Sequence, residues 1–462
     1  MTCRTTRRGT RHVLALVLLA SMPASAQTQQ APKESQHMAV DGASQADARL
    51  DSLIATAVEV NPALDAAQQR VRAAQARIGP AGALPDPMLS VGIMNLPVSE
   101  PGFGDFMTMK TVGAAQTLPF PGKLALAGRA AEFEVRAAEA TLEAVRRDVV
   151  ADVRRAWYDL ALLDRTLEIM QASQNLLLNF IQVTESRYAT GTGGQQDILK
   201  AQVEASRLAA HAVVVTEQRR ATLARLNAVL DRPSDAPVVG PRVPERVVRA
   251  AIPPDRTSIR FTAAALGARA ADSPFPPLAE MQELAIAHSP VLEAHEARIG
   301  AQAARVEFAR KEHLPDFNLS LQYGQRMDRS NMVSVMVSVP VPLHKAERQD
   351  QQVAEMKAEL AAMQAEHDVM VNELRAEVAG MHADLERDRA QLALFVSAII
   401  PQGRASLESA VSAFQVGRAD FLTLLESQTT LYDYETAYYR SLADFATSVA
   451  ELERVVGTEV LR

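Results

Sequence analysis

The side chains best suited to bind a metal ion are methionines in segments where polar and apolar residues alternate. Four of them occupy polar positions of these segments: Met88, Met94, Met332 and Met336. Thioether sulfur is a soft ligand that prefers Cu(I) and Ag(I), so such a set could bind a soft metal. Methionine more often fills space as a flexible apolar residue. The four residues are therefore candidate ligands, with packing as the alternative.

No catalytic chemistry is predicted. The sequence has no glycine-rich phosphate-binding loop, no zinc signature and no hydrolase motif. The nine histidines form no dense cluster, and even His288 and His295 are seven residues apart. This spacing is not typical of metal ligands. We therefore predict that the protein is not an enzyme and uses no cofactor.

The methionines lie in four segments that read as β-strands. Phe317 to Tyr323 and Val333 to Val339 alternate strictly, Met88 to Ile93 alternates in the same way, and Met107 to Leu118 is less regular. An antiparallel sheet with one face on a soluble core would show this pattern. Such lengths also approach the roughly 9 to 11 residues that cross a bilayer at a tilt. Four strands cannot close a membrane barrel, because the smallest have about eight, so a barrel would need several chains.

Long helices flank these strands. Apolar residues recur every three or four positions in four stretches: Lys123–Arg187, Asp197–Asp231, Lys345–Gln415 with a bend or break near Pro401, and Asp420–Val456. A glycine turn separates the members of each pair, at Gly191 and at Gly417. A left-handed backbone position there would end one helix. Each half of the chain therefore contains a long helical hairpin.

The two halves repeat each other. Tyr188 and Gly191 match Phe414 and Gly417 at an offset of 226 residues. Three further landmarks match in the same order: Asn61-Pro62 with Ser289-Pro290, Leu84-Pro85-Asp86 with Leu314-Pro315-Asp316, and Leu118-Pro119 with Val339-Pro340. We divide the chain into a signal peptide (1–26), a first repeat (27–231), a proline-rich linker (232–277) and a second repeat (278–462). Each repeat contains a helix, a strand pair and a long helical hairpin.

The first 26 residues have the pattern of an export signal. Arg4, Arg7, Arg8 and Arg11 precede the apolar run Val13–Ala20, and Ala24-Ser25-Ala26 offers a cleavage site. The only cysteine, Cys3, lies in this segment. The net charge of −7 becomes more negative when the four arginines are removed, which argues against nucleic acid as a partner. The sequence thus predicts an exported chain without disulfides.

These phrases together resemble the TolC-type outer membrane efflux family over nearly the whole exported chain. The phrases that carry the resemblance are Asn61-Pro62, Leu84-Pro85-Asp86-Pro87, Leu118-Pro119-Phe120-Pro121-Gly122-Lys123, Arg187-Tyr188-Ala189-Thr190-Gly191 and Leu199-Lys200-Ala201-Gln202. The resemblance implies a mixed, mainly α fold: an internally duplicated long-helix α-barrel with four β-strands per chain. It also implies a homotrimer whose strands form one twelve-stranded barrel in outer membrane lipid. The linker 232–277 would lie around the middle of the helical tunnel or be disordered.

The resemblance further implies partners and site residues. A periplasmic adaptor and an inner-membrane pump of the RND type would dock at the far end of the tunnel. Gly191, Thr192 and Gly417 would mark the adaptor-docking tips. In the family, an acid stands six residues after the first tip glycine, and Asp197 fits this position. The second repeat often has an acid six residues after its own tip glycine, but here that residue is Thr423. We expect Glu426 to form a cation-attracting ring, and Asp197 to pair with Arg418 and hold the tunnel shut. The alternative is that these are ordinary solvated helix residues.

The function predicted from the sequence is a passive duct that completes a tripartite export pump. The phrases Asn95-Leu96-Pro97 and Met107-Thr108-Met109-Lys110 resemble the heavy-metal branch of the family, of the CusC and CzcC type. Heavy-metal cations are therefore the expected cargo, with multidrug efflux or type I protein secretion as alternatives. Two other classes of protein are also alternatives: a periplasmic adaptor and a structural coiled-coil protein.

Overall fold

The computed structural model describes residues 33–98, 101–252 and 274–461. The chain divides into a short N-terminal unit, residues 1–42, and a large unit, residues 43–462. The contacts described below lie within the large unit. The predicted signal peptide, residues 1–26, lies outside the described residues, as does the stretch 253–273 of the predicted linker.

The fold consists of two copies of the same succession of elements. The first repeat contains α1 (Lys33–Val60), α2 (Pro62–Gly82), β1 (Met88–Met94), β2 (Met109–Leu118), α3 (Lys123–Ala189) and α4 (Gln195–Val229). A short helix, α5 (Glu245–Ala251), follows it. The second repeat contains α6 (Leu278–His288), α7 (Pro290–Lys311), β3 (Phe317–Gln325), β4 (Met332–Ser338), α8 (Gln349–Leu394), α9 (Ile400–Gln415) and α10 (Phe421–Val456). The predicted duplicated, mainly helical fold with four strands is confirmed.

Equivalent residues begin equivalent helices in the two repeats. Asn61 caps α2, and its side chain accepts a hydrogen bond from the backbone N–H of Ala63. Ser289 caps α7 in the same way and accepts from the N–H of Leu292. A proline follows each cap at the first helical position, where its missing N–H costs nothing. The repeated Asn-Pro and Ser-Pro phrases are therefore helix starts.

The long helices run as the apolar spacing predicts. With 67 residues and a rise of about 1.5 Å per residue, α3 is roughly 100 Å long. The predicted break near Pro401 is present, because a π-helical turn at Phe395–Ile399 separates α8 from α9. Proline lacks the N–H that would continue the α-helical ladder, so the ladder changes register just before it. In the part of the chain that the structure describes, no helix is both long and apolar enough to cross a membrane.

The four strands form one antiparallel sheet in the order β1-β2-β3-β4. Alternation gives the sheet two different faces. One face is apolar and largely solvent-exposed, with Leu89 at 81% and Val335 at 68% exposure. The opposite face carries mainly small and polar residues such as Thr111 and Gln322. Strands β1 and β4 are the two edges of the sheet, and each has one neighbour in the chain.

An ion pair joins the sheet to the start of α3. The ammonium group of Lys123, whose side chain is only 4% exposed, lies 2.8 Å from Asp316 Oδ1 and 3.1 Å from Glu312 Oε1. The backbone N–H of Phe120 also donates to Asp316 Oδ1. Burial alone would lower the pKa of Lys123, but its bonds to the two carboxylates raise the pKa above its ordinary value. Burial alone would raise the pKa of Asp316, but the bonds from Lys123 and Phe120 lower it.

The main hydrophobic core is formed by the packed faces of the helices and includes residues of the linker. Trp157 on α3 is almost fully buried in it, and its indole N–H donates to the carbonyl of Arg242 over 2.7 Å. Val247 and Ala251 of α5 are buried in the same core. The described parts of the linker, residues 232–252 and 274–277, are therefore packed against the helices.

Candidate functional site

The two hairpin turns have the same backbone geometry. In the first turn, the N–H of Thr192 donates to the carbonyl of Arg187 and the N–H of Gly191 to that of Tyr188. In the second, the corresponding donors are Arg418 and Gly417, and the acceptors are Ala413 and Phe414. Both glycines have left-handed backbones, with φ of 75° and 72°. This is the Schellman arrangement, in which a residue with positive φ closes a helix end.

A side chain from the first turn reaches the second turn. The Arg187 guanidinium donates from Nη1 to the carbonyl oxygen of Phe414 over 2.9 Å. Its central carbon lies 4.6 Å from the centroid of the Phe414 ring. The carbonyl is one of the acceptors at the C-terminal end of α9, where a cation is favoured. Arg187 thus fastens the two turns to each other within one chain.

A small hydrophobic cluster holds the four helices together near these turns. Its buried members are Leu177, Phe180, Ala201, Ala410, Phe414, Phe421 and Leu424. The rings of Phe414 and Phe421 meet edge to face at 6.0 Å between centroids. Gln428 donates to the carbonyl of Ser173 on α3 and thereby adds a polar link. Several of the repeated residues, including Ala201 and Gln428, therefore serve packing.

The predicted gate residues lie near the turns but do not meet within one chain. Asp197 is half-buried in the first turn of α4, and its carboxylate folds back towards Gly194 at the helix start. Arg418 and Glu426 are exposed. In the described chain Asp197 and Arg418 form no ion pair. A contact between them in neighbouring copies stays a prediction, as does the Glu426 ring.

Thr423, which stands where a second acid was expected, has a local partner instead. Its N–H and its hydroxyl both donate to Asp420 Oδ1, at 2.9 and 2.6 Å. Asp420 is the N-cap of α10, and these bonds lower the pKa of its carboxyl. The second turn thus has an acid three residues before Thr423, and this acid, Asp420, serves as a helix cap.

The strand register gathers the methionines on the polar face of the sheet. The four predicted residues, Met88, Met94, Met332 and Met336, all lie on this face. Met88 and Met336 are in one row across the sheet but are separated by Ala115 and Ser320 on the two middle strands. Met94 instead stands directly opposite Met109 on β2. Within one chain, the structure therefore brings Met94 and Met109 together and separates Met88 from Met336.

Conventional metal ligands are not assembled in the described chain. Within residues 33–98, 101–252 and 274–461, no three His, Cys, Asp or Glu side chains are arranged to hold a metal ion. His295 and His367 stack at 5.9 Å between α7 and α8, and the nearest carboxylates, Glu366 and Glu296, are 3.8 and 3.7 Å away. These distances are too long for direct hydrogen bonds.

The contacts of Arg187, Asp420 and Met109 were not predicted from the sequence. Arg187 matches Ala413 in the other repeat, so the duplication provides no signal for it. For Asp420 the sequence does contain a signal, because an acid three residues before a threonine at a helix start is typical of an N-cap. For Met109 the sequence does not show which face of the sheet the side chain occupies, because β2 is the least regular strand. The pairing of β2 with β1 places Met109 on the polar face.

Comparisons with known proteins agree with this geometry. The sequence model of a family described as outer membrane efflux protein matches residues 53–232 and 282–458, one match for each repeat. A curated relative, the cobalt-zinc-cadmium resistance protein CzcC of Cupriavidus metallidurans, is 21% identical over 415 residues. That alignment covers 88% of this chain and 90% of the relative.

Solved structures share the fold at low sequence identity. The outer-membrane channel OprN superposes with a TM-score of 0.72 at 19% identity, covering 90% of this chain and 92% of that protein. CusC, studied for conformational changes during folding and transmembrane channel formation, superposes with a TM-score of 0.72 at 15% identity. The superposition covers 89% of this chain and 92% of CusC.

Proposed function

We propose that this chain, which belongs to the outer membrane efflux protein family, is the exit duct of a tripartite efflux system for heavy-metal cations. Membership of the family confirms the resemblance predicted from the repeated phrases. It also supports an outer membrane location and the role of a channel. The metal cargo and the individual partners are the parts that we propose.

The sheet is the observation that carries the proposal. An exposed apolar face suits contact with outer membrane lipid, whereas the polar face suits a water-filled lumen. The edges β1 and β4 would pair between copies, so that three chains close twelve strands into one barrel. Neither a periplasmic adaptor nor a coiled-coil surface protein accounts for such a sheet beside two helical hairpins.

Two observations favour metal cations over the alternative cargoes. The curated relative is named for resistance to cobalt, zinc and cadmium and aligns over most of this chain. Methionines, rather than aromatic side chains, are gathered on the polar face of the sheet. Multidrug efflux and type I secretion are the competing functions, and neither has a comparable observation in its favour.

A deletion strain tests the cargo. Its growth should be measured against copper, silver, cobalt, zinc and cadmium salts beside a panel of dyes and antibiotics, with the restored wild-type gene as control. Sensitivity confined to metals would support the proposal. Sensitivity to organic compounds alone would contradict it and favour multidrug efflux.

The hairpin turns are the proposed docking and gating end of the duct. A periplasmic adaptor, which links the duct to an RND-type pump in the inner membrane, would contact Gly191, Thr192 and Gly417. Thr192 and Arg418 are both exposed and occupy equivalent positions in the two turns. Cysteines at these two positions should crosslink to the adaptor, whereas failure at both would contradict docking there. Asp197 and Arg418 of neighbouring copies would hold the closed state.

A further inference from the structure

Three methionines and one glycine lie on the polar face at the same end of the sheet. Met94 of β1 is directly opposite Met109 of β2. Two residues further along β2, Thr111 pairs with Gly324 of β3, and Gly324 in turn pairs with Met332 of β4. Because side chains two positions apart share a face, all three methionines project to the side where Gly324 has no side chain. This arrangement spans all four strands.

Gly324 provides the space for the central sulfur. A Cβ atom built on Gly324 would lie 2.5 Å from Met109 Sδ and 3.4 Å from its Cγ. The Met109 thioether therefore lies over the bare backbone of β3, next to the strand that carries Met332. Any larger residue at position 324 would displace this sulfur. The glycine is thus a structural requirement for the position of Met109.

The three sulfurs differ in accessibility in a way that suits ion capture. Met109 is 9% exposed, whereas Met94 and Met332 are 40% and 43% exposed. Met94 is directly opposite Met109, and Met332 is directly opposite Gly324, over which the Met109 sulfur lies. Directly opposite residues in a sheet have Cβ atoms about 4.5–5.5 Å apart, and the flexible methionine side chain readily spans half that distance. Met94 and Met332 can therefore swing towards Met109 from either side without a change of backbone.

The surroundings argue against packing as the explanation. A methionine that only fills space is expected in an apolar environment, and the apolar face of this sheet is the opposite one. On the polar face the neighbours are residues such as Thr111 and Gln322. A neutral set of three thioethers, without carboxylate or imidazole, favours a soft monovalent ion over zinc or cobalt.

We propose that Met94, Met109 and Met332 form a thioether site for Cu(I) or Ag(I) on the polar face of the sheet. The biological use of this site rests on the proposed export of metal cations, whereas the binding itself is a property of the isolated protein. Compared with the four methionines predicted from the sequence, the site gains Met109 and excludes Met88 and Met336.

Competition for Cu(I) tests the site. The full chain, assembled and purified in detergent, is titrated without oxygen against a Cu(I)-bicinchoninate complex, and the loss of the complex's absorbance reports transfer to the protein. The test variant carries Met94→Leu, Met109→Leu and Met332→Leu, which conserve volume. The matched control carries Met88→Leu and Met336→Leu on the same face.

The wild type and the control should each take up one Cu(I) per chain from the competitor, and the triple variant should lose this uptake. Uptake by the triple variant equal to that of the wild type would overturn the proposal, as would equal loss in the control. Should the triple variant fail to assemble, Met332→Leu alone, at a half-exposed position, must weaken uptake. Unchanged uptake in that variant would also overturn the proposal.

Failure of the site and failure of the proposed function give different results. A metal-sensitive deletion strain, combined with unchanged Cu(I) uptake by the triple variant, would remove the site and leave metal export standing. A deletion strain that tolerates metals, combined with lost uptake in the variant, would retain the site and remove metal export.

Discussion

Arg187 at the end of α3 donates a hydrogen bond from Nη1 to the carbonyl oxygen of Phe414 at the end of α9, over 2.9 Å. The bond connects the first hairpin turn to the second, and the Phe414 ring lies against the same guanidinium. A single side chain therefore couples the two turns that are proposed to face the adaptor.

Loss of this contact should loosen the second turn. A hydrogen bond to a charged group contributes roughly 1.5–3 kcal/mol, so Arg187→Ala should destabilise the turn by about 2 kcal/mol. Hydrogen exchange of the backbone amides of residues 415–419 should accelerate accordingly. The matched control is Arg207→Ala, because the Arg207 side chain is 74% exposed and pairs with Glu204 of its own helix. Equal exchange in both variants would contradict a role for Arg187.

The turn glycines should be sensitive to substitution through their backbone conformation. Nothing lies within 4 Å of a Cβ built on Gly191, so Gly191→Ala meets no steric obstacle except the positive φ. The expected cost in the free energy of unfolding is about 1–2 kcal/mol, and asparagine should cost less than alanine.

Gly380 provides the control for this prediction, because it lies inside α8 with equally open space around it. Gly380→Ala should stabilise the protein by about 0.5–1 kcal/mol, since alanine is the better helix former. Thermal unfolding of the two variants should therefore shift in opposite directions. A shift in the same direction would contradict the assigned turn geometry.

The Lys123–Asp316 pair predicts a dependence of stability on pH. The lowered pKa of Asp316 contributes stability above the unfolded value of about 3.9, and this contribution is lost as the pH falls through the folded pKa. The raised pKa of Lys123 contributes stability below about 10.4, and this contribution is lost as the pH rises through the folded pKa. Between about pH 4 and pH 10 the pair should therefore contribute fully.

Asp316→Asn should remove the stability that the Asp316 carboxylate contributes above about pH 4. The expected cost near neutral pH is about 1 kcal/mol, because Lys123 keeps Glu312 as a partner and Asp316 is partly exposed to solvent. Asp86→Asn is the matched control, since Asp86 occupies the same place in the first repeat and is exposed. Thermal unfolding followed from pH 3 to pH 7 should show a weaker pH dependence for Asp316→Asn than for the control. Identical profiles would contradict the proposed contribution of the pair.

The Glu426 ring is tested by the conductance of the assembled channel. Glu426→Ala should lower the preference for cations, and the effect should be greatest at low ionic strength, where charges are least screened. Glu408→Ala removes an exposed acid from α9 of the same hairpin and serves as the control. Unchanged conductance and selectivity in Glu426→Ala would exclude the ring.

Much of the fold follows from the sequence because its signals are local and occur twice. Helix periodicity, the proline-marked helix starts and the turn glycines predict most element bounds to within a few residues. The differences are small and local: β2 begins at Met109 rather than Met107, because Asp105 forms a turn with Met107 and Thr108. Likewise, α8 begins at Gln349 rather than Lys345.

The contacts that distinguish the two repeats could not be predicted in this way. Asp316 binds Lys123 although Asp86, its equivalent, is exposed, and Arg187 binds Phe414 although Ala413 offers no equivalent side chain. The methionine site likewise depends on the pairing of β1 with β2 and of β3 with β4. Such relationships join residues that are distant in sequence, and alternation within one strand does not specify them.

Electrophoresis of the outer membrane fraction, without and with prior heating, tests the central claim most directly. The account predicts a band at about three times the mass of the exported single chain, and this band should fall to the single-chain mass on heating. A single-chain band that is unchanged by heating and found only in the soluble periplasmic fraction would contradict a trimeric outer membrane duct.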